Sequence, residues 1–198
     1  MANKTNWMQV EQALRRHGLR VFTPLELQRL VGVSGIAARF LVHRYTQRGA
    51  LVKLRNGLYA LADQPPSEMG LANRLYAPSY LSFEFALSYY HLIPEATYVV
   101  TSATSRPTRV AAALGRTFEY HRLKRAAFTG YEPVKVGAER ILMATPEKAL
   151  ADTLYFVDLK KKRLNDRLEL RTMNWKRLES YVGMFQRRSL LERLQGLR

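Results

Sequence analysis

The chain contains no cysteine, which excludes disulfides, thiolate zinc sites and cysteine nucleophiles. No apolar run approaches the length that spans a bilayer. The first residues, Met1-Ala2-Asn3-Lys4-Thr5-Asn6-Trp7, lack the apolar core of a secretory leader. A soluble, cytoplasmic protein with no membrane partner is the expectation. The four histidines, His17, His43, His91 and His121, are scattered. There is no His-Glu-x-x-His pair, no phosphate loop ending in Gly-Lys-Ser/Thr and no Gly-x-Gly-x-x-Gly. We therefore assign no metal, no cofactor and no catalytic residue, and read the chain as a non-enzyme. Internal repeats and low-complexity tracts are also missing.

Acidic residues are the scarcest resource: 16 Asp and Glu face 32 Lys and Arg, a net charge of +16. The excess is uneven. Residues 1 to 62 hold 10 basic and 2 acidic side chains, residues 63 to 152 hold 10 and 9, and residues 153 to 198 hold 12 and 5. Two basic ends around a neutral middle point to a polyanionic partner, and nucleic acid is favoured over a membrane surface. A hydrophobic content of 47% is enough to fold, so disorder is not the explanation of the charge.

The stretch from Ser34 to Leu61 carries the clearest pattern. Ser34 is an N-cap type residue and Gly49 a C-cap type residue, so the spacing predicts a helix between them. Two short apolar runs follow, joined by Asn56-Gly57, a dipeptide suited to a tight hairpin turn. On the helix, Ala38, Leu41, Val42 and Tyr45 share one face. Arg39, His43, Thr46 and Gln47 share the other, with Arg44 and Arg48 at its edge. Upstream, residues 5 to 17 read as a first helix with Trp7, Val10 and Leu14 at helical spacing. Val21-Phe22 reads as an extended link, and Thr23-Pro24 starts a second helix that stops at Gly32. Helix, helix, turn, helix and hairpin together predict a winged helix-turn-helix over residues 1–62.

Asp63-Gln64-Pro65-Pro66-Ser67 breaks the pattern, and residues 63–77 read as a linker and connecting helix, Glu68 to Tyr76. Residues 78–198 read as a mixed α/β domain. We expect a buried helix from Ser82 to His91 and one small antiparallel sheet from Thr97–Ser102, Thr117–Leu123, Val134–Val136 and Arg140–Met143. A helix should begin at Thr145-Pro146, and a basic helical tail should include one helix capped by Asn174. A last helix should open on a Ser189 to Glu192 capping box. The fold class is thus α+β. Arg106 and Arg109 read as an exposed basic loop. Glu147 is favoured near a helix N-terminus, whereas Glu147 and Asp152, five residues apart, do not share a face.

The run Pro78-Ser79-Tyr80-Leu81-Ser82-Phe83-Glu84-x-Ala86-Leu87-Ser88-Tyr89-Tyr90-x-Leu92-Ile93-Pro94 and the run Thr145-Pro146-Glu147-Lys148-Ala149-Leu150-Ala151-Asp152 resemble stretches of AbiEi-type antitoxins. These are the regulatory halves of bacterial type IV toxin-antitoxin and abortive-infection (phage defence) modules. The resemblance covers about residues 20 to 157, although longer members carry a larger C-terminal domain. It implies an N-terminal winged helix that represses transcription of its own operon, and a following domain that counteracts a nucleotidyltransferase-like toxin. It also marks Tyr80, Ser82, Glu84, Arg106, Arg109, Glu147, Lys148 and Asp152 as the residues to follow in that domain.

The expected partner is double-stranded DNA at the chain's own promoter, in inverted repeats. Ser34, Arg39, His43, Arg44, Gln47, Lys53, Arg55 and Asn56 are the expected contacts. The cognate toxin is a functional partner whether or not it is touched directly. No heptad seam fixes a dimer, so a monomer or weak dimer is expected. Two other classes stay open: an enzyme acting on RNA or nucleotides through Glu147, Lys148, Asp152 and the arginines, and a protein-interaction module whose basic ends hold the toxin.

Overall fold

A computed structural model describes residues 6–197. The expected start of the first helix at residue 5 lies outside the described residues. The chain divides into two compact units, Met1–Ser67 and Glu68–Arg198. Among the described residues they contain eight α-helices and nine strands in two sheets, an α+β fold.

The first unit is built by capped helices closing on a small sheet. Helix α1, Trp7–Arg16, starts at Asn6, whose side chain and that of Gln9 cap each other's backbone N–H groups. Strand β1, Val21–Phe22, follows. Thr23 caps α2, Pro24–Val31: its Oγ1 accepts from Glu26 N at 3.2 Å, and Thr23 N donates to Glu26 Oε2 at 2.7 Å. The helix ends at Gly32, and two residues later Ser34 caps α3, Gly35–Gln47. Strands β2, Leu51–Arg55, and β3, Leu58–Leu61, form the hairpin. Its turn takes a positive φ at Gly57, +72°, where a side chain would be strained. Val21-Phe22 is more than a link, because it pairs antiparallel with β3 to give the order β1-β3-β2. The core joins Val10, Leu14, Phe22, Leu27, Leu41, Val42, Tyr45, Leu51 and Leu61, with Trp7 packed at 4.2 Å from the Tyr45 ring.

The second unit surrounds a six-stranded sheet. In chain order come α4, Glu68–Leu75; β4, Ser79–Leu81; α5, Phe83–Tyr89; β5, Val99–Thr104; β6, Arg109–Ala113; and β7, Arg116–Arg122. A 3-10 turn at Arg125–Ala127 leads to β8, Tyr131–Val136, and β9, Glu139–Ala144. Helices α6, Pro146–Asp158, α7, Trp175–Gly183, and α8, Arg188–Gln195, complete it. The strand order is β6-β7-β5-β4-β9-β8. The expected antiparallel sheet is corrected: β5 runs parallel to β7, and β4 parallel to β9. Helices cover both faces. Tyr120 of β7 donates its hydroxyl to Ala72 O in α4 at 2.7 Å, whereas its neighbour His121 packs on Phe156 of α6, as the two-residue strand period requires. Every residue of α6 from Glu147 to Val157 is buried.

Two strands escaped the sequence reading. Strand β4 has only three residues, all buried, so it shows no alternation. Strand β6 is Arg-Val-Ala-Ala-Ala, and alanine is poor in strand propensity. Arg109 is therefore the first residue of a strand and not part of a loop. The capping box expected at Ser189 does not form. Helix α8 has no side-chain cap, and Ser189 Oγ instead donates to Asp158 Oδ2 at 3.0 Å. Phe185 lies beyond the end of α7.

Phe22 is fully buried in the first core, so Phe22→Ala should destabilise that unit by about 3–5 kcal/mol. Leu25→Ala, at a site 53% exposed, should change it by less than about 0.5 kcal/mol. Urea unfolding followed by Trp7 fluorescence in a Trp175→Phe background reads this unit. Equal effects of the two substitutions would contradict the packing described.

Candidate functional site

Helix α3 presents two unlike faces. Ala38, Leu41, Val42 and Tyr45 are buried, whereas Arg39, His43, Arg44 and Gln47 are exposed. Thr46 is half-buried and donates its hydroxyl to Val42 O at 2.8 Å, so it belongs to the helix itself more than to the outer face. Ser34 caps the helix by accepting from Ala37 N at 3.2 Å, which occupies its side chain. Lys53, Arg55 and Asn56 are exposed at the hairpin, with an Arg55 guanidinium nitrogen 3.0 Å from Asn56 O. Arg39, Arg44 and Lys53 form no ion pair among the described residues. Their charge is available to an anion.

Sequence reasoning missed two members of this face. Ile36 is 63% and Phe40 65% exposed, and at 100° per residue they fall among Arg39, His43 and Gln47. The signal was present, since neither residue lies on the stripe set by Leu41 and Tyr45.

In the second unit the structure draws Tyr80, Ser82, Lys148 and Asp152 together. Lys148 and Asp152, one helical turn apart on α6, form a fully buried ion pair through Nζ and Oδ1. Asp152 Oδ2 accepts from Ser82 Oγ at 2.8 Å and from the Tyr80 hydroxyl at 3.0 Å. Strand β4 supplies Tyr80 and the residue after it supplies Ser82, so one carboxylate ties the sheet to the helix. Burial pushes the Asp152 carboxyl up, against the opposing pull of Lys148, Ser82 and Tyr80. Burial also raises the Tyr80 hydroxyl, with the Asp152 charge adding to it. Gly130 closes over the pair. A side chain there would sit 2.7 Å from the Tyr181 ring and 3.0 Å from Lys148 Cγ.

The remaining marked residues lie apart from this network. Glu84 pairs with Lys162 at 2.7 Å. Arg106 and Arg109 lie over the Tyr76 ring at 4.4 and 5.3 Å. Glu147 is buried in the first turn of α6, 3.9 Å from Arg177, and its Oε2 has no hydrogen-bond partner. Among the described residues, no group of three or more His, Asp or Glu could hold a metal, and no helix is long and apolar enough to cross a membrane.

Removing one member of a buried ion pair strands the other, so Lys148→Met should destabilise the second unit by about 3–5 kcal/mol. Lys148→Met/Asp152→Leu should cost less than the sum of the two single substitutions. In Lys148→Met the Asp152 carboxyl loses its counter-charge while its burial persists, so its folded-state value stays above its unfolded one. The contribution of the proton is then complete below the unfolded value and lost as pH rises through the folded value. Stability of this variant should fall with rising pH across that window. A pH-independent, strictly additive double-mutant cycle in urea would contradict the pairing.

No protein-family model matches this chain, and no curated protein matches it significantly.

Proposed function

We propose that the chain is a DNA-binding antitoxin that represses transcription of its own operon. In this reading the first unit is a winged helix-turn-helix: α2 and α3 are the helix-turn-helix, and the β2–β3 hairpin is the wing. Helix α3 enters the major groove, with Arg39, His43 and Gln47 toward base edges and Arg44 toward phosphate. Ile36 and Phe40 add apolar contact of the kind that reads a thymine methyl group. Lys53, Arg55 and Asn56 hold the neighbouring backbone or minor groove.

One observation carries the reading. The outward face of α3 and the hairpin tip both carry exposed cations, three of them without ion pairs among the described residues, on a unit whose opposite helix face is core. The likeness of Pro78–Pro94 and Thr145–Asp152 to AbiEi-type antitoxins supports the same conclusion. It extends it to the second unit, whose role is to counteract a nucleotidyltransferase-like toxin.

Binding to the DNA upstream of the chain's own gene should resist scrambled competitor in a gel shift, and Arg39→Ala/His43→Ala should abolish that resistance. With about six phosphates neutralised, log K should fall against log salt with a slope of about −5, and Arg55→Ala should reduce the slope by about one. A slope near zero would remove the DNA-binding reading.

A further inference from the structure

We propose that the second unit binds a phosphorylated nucleoside, in a cavity at the carboxyl ends of β5 and β7. The two strands run parallel, and their last residues, Thr104 and Arg122, are register partners. The chain therefore leaves both strands at the same edge of the sheet, the position where sheets with parallel strands receive ligands. Ser105, Leu123, Lys124 and Arg125 continue from those ends and, with Arg122, Phe128 and Tyr155, line a cavity of about 770 Å³. That volume lies within the range of small-ligand sites, about 300–1,000 Å³.

The walls divide by chemistry. Arg122, Lys124 and Arg125 bring three cations, and no carboxylate is among the lining residues. Arg122 and Arg125 side chains form no ion pair or hydrogen bond among the described residues, while Lys124 Nζ donates to Phe185 O at 3.1 Å. Guanidinium forks of this kind match phosphate oxygens two at a time. The aromatic walls are braced from behind: Tyr155 stacks on Phe185 at 4.2 Å, and Phe128 packs on Tyr80 and Tyr131 at 5.2 and 5.5 Å. Tyr155 is itself buried, so it is the half-buried Phe128 ring that offers a planar base a stacking platform. The Ser105 hydroxyl can meet a ribose oxygen. A bare anion would leave the aromatic side unused, and an apolar ligand would leave the cations unpaired. A nucleotide satisfies both, whether free or as one unit of a single strand.

This inference is independent of the DNA-binding reading, since every lining residue belongs to the second unit. Calorimetric titration of the full chain with ATP and GTP, with adenosine and guanosine, and with a single-stranded octaribonucleotide tests it. We expect saturable one-to-one binding of a nucleoside phosphate, weakened about tenfold or more when the phosphate is missing. Arg122→Ala/Arg125→Ala should weaken binding by a similar factor. Lys161→Ala/Arg163→Ala, which removes two exposed charges outside the cavity, should leave it unchanged. Phe128→Leu should lower affinity several-fold through the lost ring face, and it reads the same cavity should the arginine variant fail to fold. Binding of the octamer with no binding of ATP or GTP identifies the ligand as a unit of a strand. The proposal is overturned if none of the phosphorylated probes binds at millimolar concentration, or if the cavity and control variants lose affinity equally.

Discussion

Sixteen carboxylates must serve thirty-two cations in this chain, and the fold directs most of those carboxylates toward its own scaffold. Asp152 is the extreme case, sealed from water and held by Lys148, Tyr80 and Ser82. Elsewhere in each unit the pattern repeats at lower burial. Glu84 holds Lys162, Asp158 takes Arg187 and Ser189, and Glu95 takes Asn165 and Arg167. Glu68 meets Arg116, and Glu11 with Asp63 flanks Arg15. Exposed pairs of this kind add little to stability individually. Their collective effect is on where charge is left over.

What is left over is cationic. Arg39, Arg44 and Lys53 on the first unit, and Arg122 and Arg125 on the second, form no ion pair among the described residues. Each group is held beside apolar or aromatic surface, Ile36 and Phe40 in one case and Phe128 and Tyr155 in the other. Phosphate-bearing ligands with planar or methylated bases complement both surfaces. The difference lies in shape: a convex helix face suits a groove, and a concave cavity suits a single nucleotide.

Much of this was readable from local signals. Thr23-Pro24, Ser34, Thr145-Pro146 and Asn174 each mark a helix start, because a cap is a contact between residues a few positions apart. The buried stripe of α3 follows from its spacing. The six-stranded mixed sheet was not readable: β4 is too short and too buried to alternate, and β6 is alanine-rich. The ion pair between Lys148 and Asp152 had the right spacing, but nothing local announces that α6 is enclosed on all sides. The cavity gathers Ser105, residues 122–125, Phe128 and Tyr155; the parallel pairing of β5 with β7 brings Ser105 beside residues 122–125, and Tyr155 comes from α6, far along the chain.

The central claim is that residues 35–56 form the surface that meets DNA. Hydrogen exchange of the full chain, with and without the duplex from upstream of its own gene, measures this directly. The account predicts slowed exchange in peptides covering α3 and the β2–β3 hairpin. Protection confined to the second unit, with α3 and the hairpin exchanging at the same rate in both states, would contradict it.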